Sequence, residues 1–251
     1  MSKLALITGG QQGIGLGIAT ALAAAGYRIA LAADLPPDAG AVGQALAQLP
    51  PNTQYYQHDL TDIAAIPALV DQIEATGPMT TLISNAGVPA RLRGDMLEIT
   101  PENFDHAMNV NLRGGFFLAQ HIAKRMSSRV GKHYRSLIFV TSVSAEMVSV
   151  DRVEYCISKA GAAMMARSFA ARLAPLNIGV FELRPGIIDT PMTAGVKDKY
   201  DARIAAGLVP AQRWGQPDDI GQIVVPLAEG KFAFATGAVI PIDGGLSIAR
   251  L

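Results

Sequence analysis

A single cysteine, Cys156, stands among 251 residues. It leaves no pair for an intrachain disulfide framework and fits a reducing compartment. A surplus of one charge is missing too. Lys+Arg 21 meet Asp+Glu 21, so no basic excess points to a nucleic-acid partner. No apolar run approaches the roughly 18 residues of a bilayer span, and no membrane partner is expected. Met1-Ser2-Lys3 leads only to Leu4-Ala5-Leu6-Ile7 before Thr8-Gly9-Gly10. That is too short for a signal core, so the expectation is a soluble, cytoplasmic chain. His58, His106, His121 and His133 are scattered without a His-x-x-x-His pair, and no metal is expected. What the chain has is apolar mass: 50% hydrophobic residues, 17% charged, mean hydropathy +0.27. That supplies a large core and excludes disorder.

Short runs rich in Ile, Val and Leu alternate with helical patterns throughout. Candidate strands fall at 3–8, 28–33, 53–58, 80–84, 136–142, 178–183 and 238–242. Candidate helices fall at 14–25, 39–48, 63–76, 101–126, 152–174 and 217–228. Several strands are continuously apolar, as strands covered on both faces must be. The alternation predicts an α/β fold of right-handed βαβ units, with a mainly parallel, doubly wound sheet between helices, in one domain over 1–251. The stretch 190–212 breaks the rhythm and reads as a mobile substrate flap.

The first strand runs into Thr8-Gly9-Gly10-Gln11-Gln12-Gly13-Ile14-Gly15 and then a helix. Glycines there allow a tight turn and close approach to a pyrophosphate, which the helix N-terminus attracts. Asp34 follows the second strand, where a carboxylate accepts both ribose hydroxyls and repels a 2′-phosphate. No Arg or Lys closely follows it. NAD is therefore favoured over NADP.

Tyr155 and Lys159 stand four apart at the start of a long helical pattern, so phenol and ammonium share a face. Ser142 ends the fifth strand, at the crevice where parallel sheets bind ligands. Reducing a carbonyl by hydride creates an alkoxide that needs a proton, and oxidation reverses this. Tyrosine's ordinary pKa of about 10 is too high for a base at neutral pH, and a nearby ammonium stabilises the phenolate. A serine hydroxyl can hold the substrate oxygen where charge develops.

With these residues in place, the chain resembles the short-chain dehydrogenase/reductase family over its whole length. Asn85-Ala86-Gly87, Asn111, Pro185-Gly186-Ile187-Ile188-Asp189-Thr190 and Asp243-Gly244-Gly245 complete the set of ordered motifs. Ser84 is a small departure, since the family often has a second Asn there. The resemblance implies a Rossmann-type sheet of seven strands and a tetrad of Asn111, Ser142, Tyr155 and Lys159. Tyr155 would be the acid/base, Lys159 would also bond the nicotinamide ribose, and Asn111 would hold a relay water. The cofactor would meet Gly9, Gln12, Gly13, Ile14, Gly15 and Asp34. Asp59 and Leu60 would flank the adenine, and Asn85, Ala86 and Gly87 would floor the ribose. Pro185, Gly186, Ile188 and Thr190 would serve the nicotinamide end. A homotetramer built through the two long helices is also implied.

The reaction expected is NAD(H)-linked exchange between a ketone and a secondary alcohol, on a polyol, sugar, hydroxy acid or 3-oxoacyl group. The alternatives are a 3-oxoacyl-acyl-carrier-protein reductase using NADPH and a catalytically silent NAD-sensing protein. Loss of a tetrad residue would mark the last, and none is lost. A basic stretch of Arg125, Arg129, Lys132 and Arg135 offers either an acyl-carrier-protein dock or a solvated helix end. Ser144, Glu146 and Arg152 are substrate candidates, with Arg91, Arg93 and the flap 192–208. An arginine fork suits a carboxylate there.

Overall fold

The computed structural model describes residues 3–129 and 131–250. Seven strands form one all-parallel sheet: β1 (Leu4–Thr8), β2 (Arg28–Ala33), β3 (Gln54–Gln57), β4 (Thr81–Ser84), β5 (Arg135–Val140), β6 (Ile178–Pro185) and β7 (Val239–Ile242). Their order is β3-β2-β1-β4-β5-β6-β7. The order reverses between β1 and β4, and an open parallel sheet binds its ligand in the crevice at such a switch.

Alternation along each strand feeds two cores. Leu4, Leu6, Leu82, Leu137, Phe139 and Val180 face one side, and Ala5, Ile7, Ile83, Ile138, Phe181 and Leu183 face the other. The first side is covered by α3 (Ile66–Glu74), α5 (Gly115–Ser127) and α6 (Val153–Leu173). The second is covered by α1 (Gly13–Ala24), α2 (Gly40–Gln48) and α8 (Pro217–Ala228). Among the described residues, no helix is long and apolar enough to cross a membrane.

One expected element comes out differently. The helix expected over 101–126 is α4 (Pro101–Met108), a π-turn at Asn109–Gly114, and then α5. The π-turn packs against the chain after β3. A Cβ on Gly114 would lie 2.3 Å from the Leu60 carbonyl oxygen, so glycine is what lets the helix approach. The stretch 190–212, expected as a flap, carries regular structure. It holds a 3-10 turn at Ala194–Val196 and α7 (Lys197–Ala205), and Trp214 donates to Asp201 at 2.6 Å, tying α7 to the chain before α8.

The basic stretch is largely spent inside the fold. Arg125 pairs with Asp71, and Arg129 donates to Glu74 at 2.7 Å. Arg135 donates to the carbonyls of Arg129 and Leu176 at 2.8 and 3.0 Å. Three of the four cations offered as a possible carrier-protein dock, Arg125, Arg129 and Arg135, thus join α3, α5 and β5, and Lys132 stays exposed. Val130 lies outside the described residues.

Gly114→Ala should destabilise the protein by about 1–3 kcal/mol, because the methyl has to displace backbone. Urea midpoints of the two proteins measure this.

Candidate active site

A cleft of about 790 Å³ opens at the carboxyl ends of β1, β2, β4 and β5. Its first wall is the glycine turn. Gly15, in the first turn of α1, lies so close to the preceding turn that a Cβ would lie 2.2 Å from the Gly9 carbonyl oxygen. The Asn85 side chain donates to the carbonyls of Thr8 and Gly9 at 2.9 and 3.3 Å. Thr8 Oγ1 accepts from the Asn85 and Ala86 backbone N–H groups, both at 3.0 Å. The β1 and β4 turns are thereby one rigid unit at the switch point. Gly9, Gln12, Gly13, Ile14, Gly15, Asp34, Asp59, Leu60, Asn85, Ala86, Gly87, Tyr155, Lys159 and Thr190 all line the cleft.

Asp34 is exposed at the end of β2 and faces that space. The Asp59 carboxylate is turned onto its own chain, accepting from the Thr61 N–H and hydroxyl at 2.8 Å. Its neighbour Leu60 supplies an apolar wall. Pro185, Gly186 and Ile188 stand behind the lining: β6 runs through Pro185, and Ile188 bridges to Gly215. Thr193 Oγ1 accepts from the Thr190 N–H at 3.1 Å and donates to the Ile188 carbonyl at 2.7 Å, which fixes that corner.

Of the four tetrad positions, Tyr155 and Lys159 line the cleft, whereas Asn111 and Ser142 are not among its lining residues. The Lys159 ammonium donates to the Val140 carbonyl at 3.2 Å and stands 5.8 Å from the Tyr155 ring centroid. Ser142 lies two residues beyond β5, buried, with its Oγ accepting from the Ser144 N–H at 3.1 Å. Asn111 sits in the π-turn. Its amide nitrogen donates to the Val88 carbonyl and to Ser158 Oγ, both at 3.0 Å, and its amide oxygen accepts from the Val88 N–H at 2.7 Å. Ser158 Oγ donates in turn to the Tyr155 carbonyl at 2.8 Å.

Glu146 does not reach into the cleft. It pairs with Arg184, whose Nε donates to Glu182 at 2.6 Å, and Thr141 Oγ1 donates to the same Glu182 oxygen at 2.7 Å. Burial opposes the Arg184 charge, but hydrogen bonds to Glu182 and Glu146 outweigh it and raise its pKa. The same guanidinium holds the Glu146 carboxyl below the usual range. Ser144 is buried and accepts from Arg152 at 3.1 Å.

Two lining residues escaped the motif reading. Gln11 is buried with its side-chain oxygen unpartnered, and so is His58 Nε2. Gln11 could have been read from the glycine turn that contains it. His58, one residue before Asp59, carried no signal beyond that adjacency.

The family model described as enoyl-(acyl carrier protein) reductase matches residues 9–247. The chain belongs to the short-chain dehydrogenase/reductase family. It is therefore an oxidoreductase of the type acting on CH–OH and keto groups with a nicotinamide dinucleotide. This family member is 34% identical to the 3-oxoacyl-[acyl-carrier-protein] reductase MabA of Mycobacterium tuberculosis, covering 100% of this chain and 95% of that protein. It is 31% identical to FabG of Thermotoga maritima, a 3-oxoacyl-[acyl-carrier-protein] reductase, with 98% of each covered. A crystal structure of a 3-oxoacyl-[acyl-carrier protein] reductase from Brucella melitensis in complex with NAD superposes with a TM-score of 0.95. That comparison has 45% identity and covers 100% of this chain and 99% of the other.

Burial pushes the His58 pKa down, against the pull of Asp62 and Asp59. Between its lowered value and the ordinary 6.5, the unfolded chain binds more protons than the folded one. Stability therefore falls as pH falls below 6.5, until the folded imidazole also titrates. His58→Gln should flatten the fall in melting temperature between pH 7 and pH 5.

Proposed function

We propose that the protein interconverts a ketone and a secondary alcohol with NAD(H), using Tyr155 as acid/base. The observation that carries this is the Lys159 ammonium beside the Tyr155 ring, in the cleft that the glycine turn walls. The cleft fits the cofactor. It joins a cradle that a Cβ on Gly15 would fill, an unpartnered Gln11 oxygen and an exposed Asp34 carboxylate. Gly9, Gln12, Gly13, Ile14 and Gly15 hold the pyrophosphate, and Asp34 the adenosine ribose. Asp59, Leu60, Asn85, Ala86 and Gly87 frame the adenosine, with Pro185, Gly186, Ile188 and Thr190 at the nicotinamide end. When bound, nicotinamide supplies or accepts the hydride.

The chain's own groups do the rest. Ser142 holds the substrate oxygen beside the Tyr155 hydroxyl. In reduction Tyr155 gives its proton to that oxygen, and in oxidation it takes the proton back. Lys159 steadies the phenolate that results. Both N–H groups of the Asn111 amide are spent on Val88 and Ser158, so a relay water meets that residue through oxygen. Asp34 favours NAD because its charge repels a 2′-phosphate, and the NAD complex named for the Brucella relative supports the same choice.

A second reading, a 3-oxoacyl-[acyl-carrier-protein] reductase, draws on the names of full-length relatives. It also draws on the exposed Leu92, Leu97, Val148 and Val150, which belong to segments joined by the Arg93–Asp151 pair. The engagement of Arg125, Arg129 and Arg135 inside the fold weakens the carrier-protein part of that reading. Assays with free 3-oxo compounds and 3-oxoacyl carrier thioesters separate the two.

Tyr155→Phe should cut kcat by roughly 10²–10⁴-fold while NADH still binds, as read by fluorescence titration. A normal turnover in this variant refutes the role. Asp34→Ala should shift the NADH-to-NADPH preference toward NADPH by roughly 10- to 100-fold in kcat/KM, the weight of hydrogen bonds to a charged group.

A further inference from the structure

Three arginines stand in sequence near the mouth, and one of them is committed to an ion pair. Arg93 pairs with Asp151 at 3.4 Å. Arg91 lines the cleft near His106, whose pKa is pushed down by burial and by the Arg91 charge while Asp59 opposes. It therefore belongs to the side of the cleft that holds Asp59.

Arg152 is placed differently. Its guanidinium stands over the Tyr155 ring, 5.2 Å from the centroid. One terminal nitrogen donates to Ser144 Oγ at 3.1 Å, two residues from Ser142. Its Nε is buried with no partner. No acid neutralises it by an ion pair among the described residues. Asp151 is held by Ser149 and Arg93, and Arg152 makes only the smallest contribution to lowering that carboxyl. Glu146 is taken by Arg184. Glu154 is buried on α6 without a hydrogen-bond partner and forms no ion pair with Arg152. A planar fork with spare, partly desolvated donors is thus fixed beside the reacting phenol, and such a fork matches a carboxylate.

We infer that Arg152 selects the substrate by binding a carboxylate a few carbons from the carbonyl held at Tyr155 and Ser142. The substrate class is then a short oxo acid and its hydroxy-acid counterpart. Ser144 is the positioning residue that holds the guanidinium over the ring. This rests on the carbonyl-reducing reading above.

The test compares acetoacetate with methyl acetoacetate, and levulinate with methyl levulinate, in NADH-linked turnover by the wild-type protein, Arg152→Gln and Arg152→Lys. Wild type should favour each acid over its ester by roughly 10- to 100-fold in kcat/KM, carried mainly by KM. The ratio should fall to about one in Arg152→Gln and recover in part in Arg152→Lys. Equal use of acid and ester by wild type, a ratio unmoved in Arg152→Gln, or a preference for 3-oxoacyl thioesters over every free acid overturns the inference. Each of these leaves NADH-linked reduction standing. If no carbonyl is reduced at all, that broader reading fails, and thermal denaturation with the same pairs still decides. Stabilisation by the acid alone, lost in Arg152→Gln, supports the carboxylate site, and no acid-specific shift overturns it.

Discussion

The Asn111 amide is the tie on which the site depends. It bonds the Val88 backbone in both directions and Ser158, which bonds the Tyr155 carbonyl. The chain after β4, the kinked helix and α6 therefore meet in one buried network. Leaving such donors and acceptors unpaired costs about 1–3 kcal/mol each, whereas making each bond yields about half that. The network consequently acts more strongly as a specification of geometry than as a source of stability. The π-turn is what brings Asn111 to it: π-turns are rare and tend to occur at functional sites. The close approach of Gly114 to Leu60 couples the same turn to the side of the cleft formed by Asp59 and Leu60.

A second tie governs the other half of the crevice. Thr8 and Asn85 exchange hydrogen bonds across β1 and β4 at the point where strand order reverses. A parallel sheet splays its chain at this point, since neighbouring strands send their crossovers to opposite faces. The same Asn85 amide also reaches the Gly9 carbonyl. The glycine turn is thus held by side-chain bonds, not by its own backbone alone, and the two ties leave the cleft floor little freedom.

Much of this was legible because the sequence encodes it locally. Continuous Leu, Ile and Val runs announce strands covered on both faces, and β2 and α8 fall on their expected bounds. The glycine turn, Asp34, Tyr155 and Lys159 were legible because their spacing is set by one turn or one helix. The π-turn was not: Asn109–Gly114 carries no break in helical pattern, and only the space left by Gly114 reveals why the helix bulges. Glu146 misled for a related reason. Its position before α6 suggested the cleft, but its partner Arg184 is on β6, distant in sequence and buried. The basic stretch after α5 shows the same limit, because Asp71 and Glu74, the partners of Arg125 and Arg129, lie on α3. Side chains that find their partners across the sheet are where local reading ends.

The charges around the site are sorted by this same sheet. On the β6 side, Thr141, Glu182, Arg184 and Glu146 form a chain whose arginine lies between two carboxylates, so it closes on itself and holds the end of β5 beneath Ser142. On the α6 side, Lys159 meets the neutral Val140 carbonyl and Arg152 meets the neutral Ser144 hydroxyl. Neither cation has a carboxylate within bonding distance among the described residues. A fixed positive charge with no bound counter-charge acts on its surroundings over several ångströms, far more strongly in a partly dry cleft than in water. Both cations lie within 5.8 Å of the centroid of one phenol ring. Of the nearby acids, Glu146 is held by Arg184 and Asp151 by Arg93, and Glu154 forms no ion pair with either cation. The proton transfer proposed at Tyr155 and the carboxylate proposed at Arg152 both draw on this arrangement.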